Sequence, residues 1–197
     1  YQYILERTIL QTFKNKNLKL FWTQYKSFLN SLIKEDQSVL LMIINFIYKA
    51  WPSRYPEKVC FVVEFYESLV GQYQSELVKY PNFKKITSKI VSSTTDLNIL
   101  VSDKCLILFK NDNLLKLFLN DFAFGKRIIN YLVDNIKNHW CEDIKSISKL
   151  VLSKLKSSYP DLIESMDIDV RNYISSIKFS QATDELWELL RYELKAD

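Results

Sequence analysis

The sequence predicts an all-α fold, and three observations carry that prediction. Only 2 glycines and 4 prolines occur in 197 residues, against about 14 and 10 at average usage. Apolar residues recur at helical spacing through nearly the whole chain. The breaks between those stripes are short and polar, with none of the glycine-rich signals of hairpins. A hydrophobic content of 48% with 25% charged residues is globular composition and excludes a disordered chain. Scarce glycine also excludes a β-barrel, a β-sandwich or a dinucleotide-binding fold, because their turns and phosphate loops depend on it.

The elements follow in order. Tyr1, Ile4, Leu5, Ile9 and Phe13 share one helical stripe, which Asn15-Lys16-Asn17 interrupts. Leu20, Phe21, Tyr25, Phe28, Leu29 and Leu32 place a second helix ending near Lys34. Asp36 or Ser38 can cap a third by accepting first-turn amides. That helix runs to Trp51 and stops there, because Pro52 disfavours the α conformation in its predecessor. Pro56 opens a fourth helix, where its missing amide costs nothing. Val59, Val62, Val63, Tyr66, Leu69, Val70 and Tyr73 stripe it to about Lys79.

Tyr80-Pro81-Asn82 breaks the chain, and Phe83, Ile86, Ile90 and Val91 form a shorter fifth helix. Asp96 can cap a sixth through Phe109, after which Lys110 to Asn113 make a polar turn. Leu114 to Leu119 give a seventh helix, Asp121 to Lys137 an eighth, and Cys141 to Ser157 a ninth that Tyr159-Pro160 ends. Asp167 to Lys178 and Ala182 to Ala196 read as two final helices. Pairs over 18–51, 57–92, 96–119 and 121–157 recur at about 40 residues, the period of HEAT and armadillo repeats. Period alone leaves an α-solenoid and a globular bundle both open.

Charge is uneven. Residues 1–160 carry 23 basic and 14 acidic side chains, a balance of +9. Residues 161–197 carry 4 and 9, a balance of −5. The basic body suits acidic partners, and the acidic end suits a polar-faced cap on a helical stack. We expect one helical-repeat domain over 1–197, the C-terminal portion of a longer solenoid, with 161–197 as acidic capping helices. No apolar run is long enough to span a bilayer. Cys60, Cys105 and Cys141 lie far apart among apolar neighbours. They read as free thiols in a reducing cytoplasm or nucleus.

Catalytic machinery is not found. His139 is the sole histidine, so neither a histidine pair nor a His-based metal site can form within the chain. Gly125-Lys126 echoes the end of a phosphate-binding loop, but Asn120 stands where the earlier glycine belongs. Glu64 with Glu67, or Glu142 with Asp143, read as solvated helix-face carboxylates. We expect no catalytic residue, no metal and no cofactor. Lys84, Lys85 and Lys89 share one helix, and Lys126, Arg127 and Lys137 another. Acids interleave with these lysines and the aromatics fall on apolar stripes, which argues against nucleic acid.

Ala50-Trp51-Pro52 and Asn138-His139-Trp140 place large rings at helix ends, so Trp51, His139 and Trp140 are expected structural anchors. If buried, Trp51 would cost about 3–5 kcal/mol on truncation to alanine. These segments also carry a resemblance. Phe28 to Pro52 with its Lys34-Glu35-Asp36 turn and Lys49-Ala50-Trp51-Pro52 ending is similar to the C-terminal part of the B-prime regulatory subunits of protein phosphatase 2A. So are Glu57 to Leu69, Val91-Ser92-Ser93, Cys105 to Asp112, Lys137 to Trp140 with the helix to Leu155, and Glu185-Leu186-Trp187. Together they run from about residue 10 to 195. Departures are a missing residue between Pro52 and Val59, extra residues between Ser93 and Cys105, Phe109 in place of tryptophan, and an unusually apolar Asn113 to Phe124.

The resemblance implies an α-solenoid of HEAT/armadillo-like helix pairs and a non-catalytic regulatory subunit. Its partners would be the phosphatase scaffold and catalytic subunits, with substrate proteins gripped by repeats upstream of Tyr1. Turn and ridge residues Arg54, Lys58, Lys110, Asn111, Lys126 and Arg127 are the candidate protein interface. The alternative is an unrelated HEAT-like adaptor for protein assembly or transport.

Overall fold

A computed structural model describes residues 2–178. The expected helix from Ala182 to Ala196 and the Glu185-Leu186-Trp187 segment lie outside the described residues. Within them every element is helical, and the chain divides into two compact units, Tyr1–Ser93 and Thr94–Asp197.

Unit 1 opens on α1 (Gln2–Ile4), a π-helical turn (Leu5–Ile9) and a 3-10 turn (Leu10–Lys14), where one regular helix was expected. The difference comes from phase. A π turn brings residues five apart into line and a 3-10 turn residues three apart. Leu5, Leu10 and Phe13 are thereby buried as one stripe, and Ile4 is left in solvent. Next come α2 (Leu18–Glu35), α3 (Ser38–Lys49), α4 (Pro56–Leu77) and α5 (Pro81–Ser92). Neither Asp36 nor Ser38 is the cap expected for α3, since Gln37 holds that position; Asp36 instead accepts the Ser38 amide at 2.9 Å, forming the turn ahead of the helix. Hydrogen bonding from the Ser38 hydroxyl, and then from its amide, holds the Asp36 carboxyl below the usual carboxylate range.

The buried face of α2 is Leu18, Trp22, Tyr25, Leu29 and Ile33. This corrects the expected stripe, because Leu20 is 80% exposed and Phe28 is 46% exposed. Steps of four, three, four and four residues stay on one helix face, and Leu20 lies half a turn from both Leu18 and Trp22. A break at Phe21 (φ −132°, ψ 18°) sits between them. Trp22 stacks on Phe61 at 4.8 Å between centroids and meets Phe65 edge-on at 6.2 Å. Its indole N–H donates to Glu64 at 3.2 Å, and Lys26 pairs with the same carboxylate. Glu64 is thus engaged in tying α2 to α4. Between α4 and α5, Tyr66 stacks on Phe83 at 5.2 Å. The Thr87 hydroxyl is 2.9 Å from the Phe83 carbonyl. Because it can donate only once, Tyr66 supplies the hydrogen of the 2.8 Å Tyr66–Thr87 bond.

Unit 2 contains α6 (Ile99–Ile107), a 3-10 turn (Leu108–Lys110), α7 (Asp112–Leu119), α8 (Phe122–Asn138) and α9 (Glu142–Ser158). Two short helices follow, α10 (Pro160–Glu164) and α11 (Ile168–Ser176). Asp96 accepts the Asn98 amide, making the turn ahead of α6 instead of its first residue. Tyr159-Pro160 ends α9 as expected, with Tyr159 as its non-helical cap, and Pro160 occupies the first turn of α10, where a proline fits. α9 packs on both α6 and α8, and α10 closes over the α8–α9 pair. Gly125 is buried where α8 meets α10, and a Cβ there would lie 3.0 Å from a Leu162 methyl and 3.2 Å from Leu119. This glycine therefore serves close packing.

The centre of unit 2 holds a polar junction. Asn135 donates to the Thr94 carbonyl at 2.8 Å and to Ser148 at 3.2 Å, while Ser102 donates to the same carbonyl at 2.6 Å. All four residues are buried. Each polar atom named finds a partner, so burial does not leave it stranded.

A second buried polar group is less well served. Asp103 on α6 has a buried carboxyl oxygen with no hydrogen bond. Burial pushes its pKa up to about 6, with Lys104 opposing and Asp143 adding to the rise. An unfolded aspartate titrates near about 3.9, so between these values the folded chain binds more protons and stability falls as pH rises. We expect Asp103→Asn to raise stability by about 1–3 kcal/mol at pH 7.5 and by little at pH 4. Thermal melts at the two pH values check this, and an equal gain at both would contradict it.

Candidate protein-interaction surface

The α3–α4 turn is built by its prolines. Lys49 ends α3, and the Ala50 amide still bonds Phe46. Trp51 then leaves the helix because Pro52 follows it. Backbone bonds from Ser53 to Trp51 and from Tyr55 to Pro52 fold the link tightly, and Pro56 starts α4. Pro52 is buried, Trp51 is half-buried and Tyr55 is 61% exposed. Against the 3-10 turn of the opening segment this link encloses a groove of about 610 Å³. Its apolar walls are Phe13, Trp51, Pro52, Tyr55 and Pro56.

The polar lining is mainly cationic. Lys14, Lys16 and Lys58 line the groove, with Glu57 as its one acid. Lys19 lies 3.3 Å from Glu57. The Lys58 ammonium donates to the Phe13 carbonyl at 3.1 Å and lies 5.4 Å from the Tyr55 ring centre. Partial burial holds its pKa below the ordinary lysine value. Lys89 sits over the Trp51 ring at 5.4 Å, and Lys85 and Lys89 both sit over Tyr48. Arg54 is exposed on the turn itself.

Of the sequence-derived candidates, the structure brings Arg54, Lys58 and Trp51 together at this turn. Lys110 and Asn111 fall on the α6–α7 link of unit 2. There Asn111 caps α7 by accepting the Asn113 and Leu114 amides. Lys154 of α9 donates to the Phe109 and Lys110 carbonyls and pairs with Asp112 at 2.6 Å. This cation complements the carbonyl end of the 3-10 turn. Lys126 and Arg127 lie near the start of α8 over Phe122 and Phe124. The sequence reading missed Lys14 and Lys16, whose stretch counted there only as a helix break.

The anchors differ among themselves. His139 is buried; its Nδ1 accepts the Cys141 amide, which leaves Nε2 to donate to the Asp96 carbonyl at 3.2 Å. Trp140 is 63% exposed and is held through one bond, from its indole N–H to the Leu97 carbonyl. Its ring stacks on His139 but adds little to the core, contrary to the expectation of a large packing anchor. Trp51, half-buried, should lose about 1–2 kcal/mol on truncation to alanine, because only part of its apolar area leaves water on folding. Urea unfolding of Trp51→Ala measures this, and a loss above about 4 kcal/mol would mean a fully buried ring.

Among the described residues no group of three or more His, Cys, Asp or Glu could hold a metal ion. No disulfide joins any of Cys60, Cys105 and Cys141. No described helix is long and apolar enough to cross a membrane.

A family model described as protein phosphatase 2A regulatory B subunit (B56 family) matches residues 1–192. No curated protein matches the chain.

Proposed function

We propose, from the premise that the chain belongs to the protein phosphatase 2A regulatory B subunit (B56) family, how its surface serves that role. The family is the one that the Ala50-Trp51-Pro52 and Asn138-His139-Trp140 segments resemble. Its members are regulatory, non-catalytic subunits. In our reading this chain helps join the scaffold and catalytic subunits and directs serine/threonine dephosphorylation by holding the enzyme beside its substrates. Tethering raises effective concentration without any chemistry by the tether. The observation that carries the reading is the exposed α3–α4 turn, where Arg54 and Lys58 flank an aromatic groove. Exposed cations around apolar rings suit an interface with a polar rim and an aromatic centre.

The experiment is binding of the full chain to a purified scaffold–catalytic dimer at physiological salt. We expect saturable binding that Arg54→Glu weakens about tenfold through charge reversal at the rim. Arg54 is solvent-exposed, so the variant should fold normally. Absence of binding, or identical binding by wild type and Arg54→Glu, would overturn the assignment of this turn.

A further inference from the structure

We infer that the α3–α4 groove is a receptor for an acidic, extended segment of a partner protein, with an aromatic or aliphatic side chain among its carboxylates. The inference rests on the reading of this turn as a contact surface and names the chemistry of its occupant. Size, charge and preorganisation each point to that occupant.

A groove of about 610 Å³ falls within the range of sites that hold a ligand several side chains in extent. Phe13, Trp51 and Tyr55 line its apolar part, which offers ring-faced walls to an apolar side chain. Around the groove the charge is mainly positive. Lys14, Lys16 and Lys58 line it, Lys89 sits on the Trp51 ring, and Arg54 stands on the turn. Glu57 is offset by Lys19. The surrounding unit adds to this field, because residues 1–93 carry 13 basic and 7 acidic side chains, a balance of +6. Clustered positive charge beside low-dielectric walls raises the local concentration of an anionic ligand and steers its approach.

Lys58 is already in place. Its ammonium has three donors, and the Phe13 carbonyl accepts from one at 3.1 Å. The rings of Phe13 and Tyr55 lie 5.9 and 5.4 Å from it. A carboxylate arriving at the mouth meets a cation whose side chain is already held, so little ordering remains to oppose binding. Trp51 and Tyr55 supply rigid apolar area at low conformational cost.

The test uses the full chain and a labelled five-residue peptide, Glu-Glu-Phe-Glu-Glu, read by fluorescence anisotropy. We expect saturable binding that weakens several-fold as salt rises from about 50 to about 200 mM. The Gln-Gln-Phe-Gln-Gln and Glu-Glu-Ala-Glu-Glu peptides should each bind at least about tenfold more weakly, since charge and anchor both contribute. Lys16→Glu with Arg54→Glu, both at exposed positions, should abolish binding while leaving the thermal melt unchanged. Equal binding of the glutamine peptide, or undiminished binding by that double variant, overturns the inference. So does tighter binding of a thymidine oligonucleotide, which would make the surface a nucleic-acid site. Peptide binding without capture of the scaffold–catalytic dimer would keep this inference and remove the proposed function. Capture of the dimer without peptide binding would do the reverse.

Discussion

Replacing Trp22 by alanine is expected to destabilise the protein by about 3–5 kcal/mol, the cost of emptying a large aromatic site. The ring is 6% exposed and touches two aromatic neighbours on α4 in different geometries, one stacked and one edge-on. Truncation opens a cavity between α2 and α4, and it also removes the indole donor to Glu64. Trp22→Phe separates these effects. It keeps most of the ring and loses the hydrogen bond, so a loss near about 1–2 kcal/mol is expected. Urea unfolding followed by circular dichroism measures both variants. A loss under about 1 kcal/mol for Trp22→Ala would show that α2 and α4 do not depend on this ring.

Phe118→Ala is expected to cost a similar amount, about 3–5 kcal/mol, in the other unit. Phe118 is 1% exposed, with ring edges against Phe109 at 5.6 Å and Phe124 at 6.3 Å. It links the 3-10 turn after α6 to the start of α8 through the eight-residue α7. So short a helix is not stable by its own hydrogen bonds and depends on packing. Amide exchange across α7 should therefore quicken more than across α9 in this variant. Protection lost equally everywhere would indicate that Phe118 supports the unit as a whole.

The unusually apolar stretch from Asn113 to Phe124 has its reason here, since Leu114, Leu115, Phe118 and Phe124 are all buried. Most helices were legible because their boundaries are chemical: Pro52 after α3, Pro81 at the start of α5, and Asn111 and Asp121 ahead of α7 and α8 act through fixed torsions or capping oxygens. What misled was phase. Counting apolar residues assigned Leu20 and Phe28 to the core, while the interior of α2 instead took Trp22, whose ring fills the space before α4. The π and 3-10 turns of the opening segment were also invisible, because spacings of five and three look like an imperfect helical stripe.

At the candidate surface, Trp51, Arg54 and Lys58 could be picked out because one proline-bounded turn carries all three. Lys14 and Lys16 could not, since only tertiary folding brings them to the same groove. Exposure of Trp140 was likewise hidden. A tryptophan held by its N–H to a backbone carbonyl has the same local sequence as one sunk in a core.

The Asn135 junction has a consequence for how α8 and α9 can move. Two helices joined by leucines and isoleucines alone can slip along each other, trading one apolar contact for another. A slip of one turn, about 5.4 Å, would carry the Asn135 amide away from both Ser148 and the Thr94 carbonyl. No apolar neighbour can replace those partners, so every shifted alignment holds a stranded polar group and only one does not. The asparagine therefore works as a notch that sets the longitudinal position of the pair, much as a single buried polar residue sets register in a coiled coil.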